Sequence, residues 1–158
     1  MSIDEKLRHR LQFLVRVVER ESRHLSTTDT RLFTPGFDLE TIKSLEQNAE
    51  LAERVEAFVA RFGRLQDTLG DKLLPAILAA LGEKSGAFID NLDRAERLGW
   101  IESVDEWMTM RKLRNQMVHD YVEDPVVLSN ALQSGHVFVG VLVKTARRMT
   151  SEIERREW

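Results

Sequence analysis

Apolar residues recur along this chain at helical spacing, and no segment alternates apolar and polar positions over the length of a useful strand. Leu7, Leu11, Leu14, Val15 and Val18 form an i, i+3, i+4, i+7 stripe, with Arg8, Arg10, Arg16 and Arg20 largely off it, which predicts a first helix. Ser2 and Glu5 have capping-box spacing at its start. The stripe gives way at Ser26-Thr27-Thr28-Asp29-Thr30, and Thr34-Pro35-Gly36 is a turn signal, so residues 26–38 are expected to form a loop. A second helix, capped by Asp38 or Thr41, carries Ile42, Leu45, Ala49, Ala52, Val55, Phe58, Val59 and Phe62 and runs on toward Gly70, a candidate stop. Pro75 fits the first turn of a short helix or a kink in a continuous one, and Gly82 ends it.

Ser85 or Gly86 opens the next helix, with Phe88, Ile89, Leu92, Ala95 and Leu98 inward and Gly99 at its end. Ser103 and Glu106 repeat the capping-box spacing before a helix that must end ahead of Pro125. Asp124-Pro125 supplies a cap and first position for a last helix bearing Val126, Val127, Leu132, Val137, Phe138, Val141, Leu142, Thr145 and Met149. Residues 154–158 form a charged tail expected to fray. The expected architecture is one domain over 1–158, an all-α antiparallel bundle of about five helices.

Composition narrows the functional classes. The net charge of −3 and pI near 5.9 give no bulk positive field, so any contact with RNA must come from a local basic cleft. The absence of cysteine excludes disulfides and thiolate metal ligands and suits a reducing cytoplasm. The N-terminus has no apolar h-region and no run approaches the length of a membrane span, so a soluble protein is expected. His9, His24 and His136 share no ligand spacing with one another or with carboxylates, and no P-loop, dinucleotide fingerprint or serine-nucleophile motif occurs. Neither a metal nor a cofactor is expected.

The stretch Arg111-Lys112-Leu113-Arg114-Asn115-Gln116-Met117-Val118-His119-Asp120-Tyr121 holds the densest chemistry. The bare Arg-x4-His pair is weak, since chance alone supplies about 0.4 such pairs in a chain of this composition. With Asn after the arginine and Tyr two positions after the histidine, the chance expectation falls well below about 0.001. At 100° per residue, Trp107, Met110, Val118 and Tyr121 all fall within about 40° of Arg114, with Leu113 and Met117 extending the arc. Arg114 therefore projects from an apolar stripe, where an unpaired charge is very unfavourable, and must meet a carboxylate, a phosphate or water. An ion pair with Asp67 is the structural alternative to a catalytic role. His119 lies about 140° around the helix from Arg114, so one straight helix does not aim both at one small group. Two copies meeting across a two-fold axis could form such a composite cleft.

Arg114-Asn115-x-x-x-His119-x-Tyr121 resembles the R-x4-H-x-Y signature of the HEPN superfamily, specifically its HepT-like toxin branch, which includes nucleotidyltransferase substrate-binding partners. Arg64-Leu65-Gln66-Asp67, the helix stop Ala95-Glu96-Arg97-Leu98-Gly99 and Trp107 also look like this group. The resemblance implies a homodimeric, metal-independent endoribonuclease that acts as the toxin of a toxin–antitoxin pair. His119 would then be general acid or base, Arg114 would hold the phosphoryl oxygens, and Asn115 would orient the phosphate or the imidazole. Asp67 would support Arg114 or contact the antitoxin. Tyr121 would be the site where a cognate nucleotidyltransferase antitoxin attaches AMP, or a packing residue with a polar tip.

The alternative reading is a non-enzymatic partner of a nucleotidyltransferase with Tyr121 as nucleotidyl acceptor, and a third is a plain helical dimerisation module. Lys144, Arg147, Arg148, Arg155 and Arg156 make a basic end to the last helix, read as a solvated face rather than an RNA contact. Trp100 and Trp107 are expected to anchor core or interface rather than stack on bases.

Overall fold

A computed structural model describes residues 3–119 and 124–158, with the backbone alone for His119. Seven α-helices follow one another: α1 (Glu5–Phe33), α2 (Leu39–Lys43), α3 (Ala49–Asp67), α4 (Leu74–Ala80), α5 (Phe88–Arg97), α6 (Val104–His119) and α7 (Pro125–Arg155). A 3-10 turn at Leu45–Gln47 separates α2 from α3, and a π-helical stretch at Thr68–Leu73 joins α3 to α4. No strand occurs among the described residues.

Pairs across the helix seams fix the directions. Asp29 reaches His136 while Arg8 reaches Glu157, so α1 and α7 run antiparallel. Arg61 bonds to His24 and Thr28 while Thr68 bonds to Glu21, which sets α3 antiparallel to α1. Gly63 lies under Arg114 and Gly70 under Trp107, giving α6 the opposite sense to α3. The core filling these seams includes Leu11, Leu14 and Val18 of α1, Val55, Phe58 and Phe62 of α3, Trp107, Met110 and Met117 of α6, and Leu132, Leu142 and Met149 of α7. Trp100 and Trp107 belong to this core, at 5% and 2% exposure.

The structure departs from the sequence expectations at several places. Residues 26–33 are helical, because Leu25, Thr28 and Leu32 carry the buried stripe of α1 straight through the polar run. Its hydroxyls do not break the helix: Thr30 donates back to the Ser26 carbonyl at 3.0 Å, and buried Thr28 receives the Arg61 guanidinium. The cap of α1 is Asp4, which accepts from Lys6 at 2.9 Å; the expected role of Ser2 lies outside the described residues. The second helix is not continuous from Ile42. Asp38 and Thr41 form a reciprocal capping box on α2, and Asn48 starts α3 afresh by accepting from Leu51 at 3.1 Å.

Gly70 is no stop. It sits inside the π-helical stretch, where a Cβ would come within 3.2 Å of Phe88 and 3.3 Å of Trp107, so its bareness admits the indole. Pro75 lies in the first turn of α4, where its missing N–H is tolerated within a helical path that continues from Ala49 to Ala80. The start of α5 is Phe88, and both Ile89 and Leu98 are about half exposed rather than inward. Gly99 ends α5 as expected, with φ of +82° and Trp100 donating to the Ala95 carbonyl at 2.9 Å. Ser103 caps α6 and Asp124 caps α7, as the spacing predicted.

The charged tail is held at several points. Trp158 donates its N–H to the Ile153 carbonyl, Arg8 bonds to the Glu157 carbonyl at 2.9 Å, and Trp158 packs against the core. One composition-based expectation also needs amending. An 18-residue window of α7 has mean hydropathy 1.6, which by length and composition alone would suffice to cross a membrane. Its apolar stripe is instead spent on packing: Leu128, Leu132, Val139, Leu142, Met149 and Ile153 are buried in the bundle.

Candidate functional site

The buried face of α6 is set by Trp107, Met110, Leu113 and Met117, each at most 6% exposed. Val118, by contrast, is 51% exposed. Arg114 thus flanks the stripe, about 45° from its centre, and does not project through its middle. It looks across the seam toward α3, where Gly63 and Asp67 stand one turn apart on the same face.

Arg114 is clamped there. Its Nη1 donates to Asp67 Oδ1 at 3.3 Å and its Nη2 to Oδ2 at 3.0 Å, the forked geometry that suits guanidinium and carboxylate. The side chains keep 32% and 43% exposure, so the pair is partly solvated and worth about 1 kcal/mol at most. Its value is directional: it holds the guanidinium in one place. Gly63 makes that place available, since a Cβ on it would lie 2.9 Å from Arg114 Nε and 3.3 Å from Cγ. Two of the five guanidinium N–H groups are spent on Asp67, leaving three for another acceptor.

The Arg114 side chain divides the seam between two grooves. On one side a mainly apolar groove of about 330 Å³ is bounded by Val59, Ala60, Met117 and Val118, with Glu56 at its rim. On the other a polar groove of about 480 Å³ is bounded by Arg64, Asp67, Thr68, Asp71 and Lys72. Behind the polar groove Thr68 Oγ1 donates to Glu21 Oε1 at 3.0 Å. Burial raises the pKa of Glu21 against the opposing pull of that hydrogen bond and of Arg64 and Lys72.

Of the residues singled out in the sequence, the fold brings Arg114 and Asp67 together. Asn115 is exposed on the next position of α6 and is not part of that clamp. His119 closes α6, its side chain outside the described residues, and the Tyr121 prediction lies outside them altogether. The basic end of α7 is largely neutralised: Glu102 holds Lys144 and Arg148, and Glu152 holds Arg155 and Arg156. Among the described residues no cluster of three or more His, Cys, Asp or Glu side chains could hold a metal ion.

Gly63, Arg64 and Lys72 were not singled out by the motif. Gly63 did carry a signal, since a glycine inside a strongly apolar-periodic helix, far from any stop, marks a close approach by something. Another unforeseen contact is His136 Nδ1 with Asp29 Oδ1 at 2.7 Å, the imidazole stacked 4.3 Å from Phe33, which ties α7 to α1. Comparison with protein-family models, with curated proteins and with solved structures finds no significant match to this chain.

Proposed function

We propose that the chain is a HEPN-type endoribonuclease, the toxin of a toxin–antitoxin pair, working in the cytoplasm as a homodimer with Arg114 and His119 as its catalytic pair. The observation that carries this reading is the placement of Arg114. It is an arginine at the border of an apolar helix face, fixed by a forked bond to Asp67 beside an open groove, with its three other N–H groups unbonded among the described residues. A purely structural ion pair does not require a bare glycine beneath the guanidinium or a groove on either side of it.

RNA carries its own nucleophile, so the protein needs only to move protons and stabilise charge. The 2′-oxygen attacks the adjacent phosphorus while its proton passes to a base. The bond to the 5′-oxygen breaks as that oxygen is protonated, leaving a 2′,3′-cyclic phosphate and a 5′-hydroxyl. Arg114 stabilises the additional negative charge on the phosphoryl oxygens, and His119 transfers one of the protons. The angular gap between these two residues on α6 favours a cleft completed by a second copy. Val118, Val126 and Val127, 51%, 50% and 37% exposed near the facing ends of α6 and α7, support an apolar contact there. Control by AMP transfer to Tyr121 from a nucleotidyltransferase antitoxin rests on the sequence resemblance alone.

The test is cleavage of a labelled RNA by purified protein in the presence of EDTA. Wild type should yield products ending in cyclic phosphate, and Arg114→Ala or His119→Ala should each lower the rate by about 100-fold or more. Intact RNA with wild type, or equal cleavage by all three proteins, would overturn the reading.

A further inference from the structure

The polar groove holds more positive charge than the clamp explains. Arg114 is matched by Asp67, yet Arg64 and Lys72 have no carboxylate within 4.0 Å among the described residues. Both are exposed and both line the same groove as Arg114; among the described residues the other charges there are Asp71 at its wall and the half-buried Glu21 behind it. Other exposed cations, such as Arg10 and Arg20, likewise have no carboxylate within 4.0 Å among the described residues; what sets Arg64 and Lys72 apart is that they share a groove wall with Arg114.

Their alignment is a product of the backbone. Eight residues separate Arg64 from Lys72, and at 3.6 residues per turn the second would sit roughly 80° around the helix from the first. The stretch Thr68–Leu73 is π-helical, and its wider turn brings Lys72 back toward the Arg64 face. Along the axis the two cations are roughly 12 Å apart, with Arg114 reaching in from α6 beside them. That separation is about twice the roughly 6 Å between successive phosphates of an extended single strand, a chain whose backbone binding is set by such cation rows.

We infer that the groove between α3, the π-helical stretch and α6 is a phosphate track, in which Arg64 and Lys72 bind the backbone of single-stranded RNA flanking the phosphate held by Arg114. The inference rests on the nuclease reading for the identity of the strand, while the track is a binding site testable on its own. Arg64 and Lys72 are binding residues here; neither takes part in proton transfer. Thr68, bonded to Glu21, closes the floor of the groove and is not a phosphate ligand.

The experiment uses a fluorescent 12-mer of 2′-O-methyl RNA, which binds but cannot be cut, and a cleavable RNA dinucleotide too short to span the track. Arg64→Gln and Lys72→Gln should each weaken binding of the 12-mer several-fold. Each should also lower the slope of log affinity against log salt by about 0.7, while Arg10→Gln, on the exposed start of α1, leaves both unchanged. Cleavage of the dinucleotide by wild type reports the nuclease reading separately, and thermal melting shows that both groove variants are folded. Binding and salt slope equal to wild type in both groove variants would overturn the track while leaving the nuclease reading standing. Wild-type binding that depends on Arg64 and Lys72 without any cleavage would support the track and sink the nuclease. A wild-type protein that neither binds nor cuts would remove both.

Discussion

The end of α7 and the seam between α3 and α6 carry similar side chains in opposite states. In the first, five arginines and lysines crowd the helix, and two glutamates absorb four of them. Arg148 and Lys144 hold the Glu102 carboxyl below its usual range, and at Glu152 the bonds from Arg156 and Arg155 outweigh a burial that pushes the other way. In the second, one carboxylate fixes one arginine, two further cations stand open along a groove, and the nearby Glu21 is shifted upward by burial. A dense run of charge in sequence is therefore the less informative feature. What distinguishes a surface able to bind an anion is cations left over after internal pairing, on a wall with a groove in front of it.

The sharpest way to break this comparison is to remove the carboxylate on each side. Asp67→Ala frees the Arg114 guanidinium from the forked bond that orients it, and a misplacement of about 1 Å at such a group lowers a rate by about 100-fold. The loss should fall mainly on kcat, and Asp67→Asn, which keeps one acceptor oxygen, should recover part of it. Glu102→Ala should leave cleavage and melting close to wild type, as expected for an exposed surface pair. Steady-state kinetics on one RNA decide between the outcomes. An Asp67→Ala protein as fast as wild type would mean that the clamp does not position Arg114 for the reaction.

Much of the fold was legible in the sequence because it is written in helical periodicity and in short capping signals. Asp38, Ser103, Asp124 and Gly99 do at their positions what residue chemistry requires. The departures share one cause: tertiary contact overrides a local polarity or a local glycine that alone would punctuate the chain. Ser26 to Thr30 stay helical because α3 supplies Arg61 to Thr28. Gly70 is a contact site for Trp107 and Phe88, and the charged tail meets Arg8, far away in sequence, which bonds to Glu157. The Arg114–Asp67 clamp was foreseeable as a possibility but not as a geometry, since residues 47 positions apart meet only once α3 and α6 are packed. Arg64 and Lys72 were invisible as a pair, because their shared face depends on a π-helical turn that periodicity at 3.6 does not anticipate.

A second, smaller effect separates positioning from packing. Gly63→Ala places a methyl group 2.9 Å from Arg114 Nε, so the arginine must swing off its forked geometry. The same change removes a glycine from a helix interior, which raises stability by up to about 1 kcal/mol if the long side chain yields. Activity and stability should therefore move in opposite directions: cleavage lower by about tenfold, urea midpoint equal or higher. Unchanged cleavage would show that the bare backbone under Arg114 is of no consequence to the reaction.

The smallest effects are those of pH, and here the two regions should have opposite signs. Glu21 has a raised folded pKa, caused first by burial, so the favourable contribution of its protonated form is complete at acid pH. It is lost as pH rises through that raised value, because the unfolded chain gives up the proton first. Glu21→Gln should melt higher than wild type at neutral pH, and the two should converge in acid. Glu152 has a lowered folded pKa, so its contribution is present above the ordinary glutamate range and disappears as pH falls through the folded value. Glu152→Gln should accordingly be the less stable partner at neutral pH, by roughly 0.5 kcal/mol, and should meet wild type in acid. Thermal melts of the three proteins from pH 3 to pH 8 are sufficient, and what matters is the sign of each difference at neutral pH. Equal signs would mean that the carboxylate behind the groove is as well paired as those on the tail. The contrast between a neutralised surface and one with charge to spare would then no longer hold.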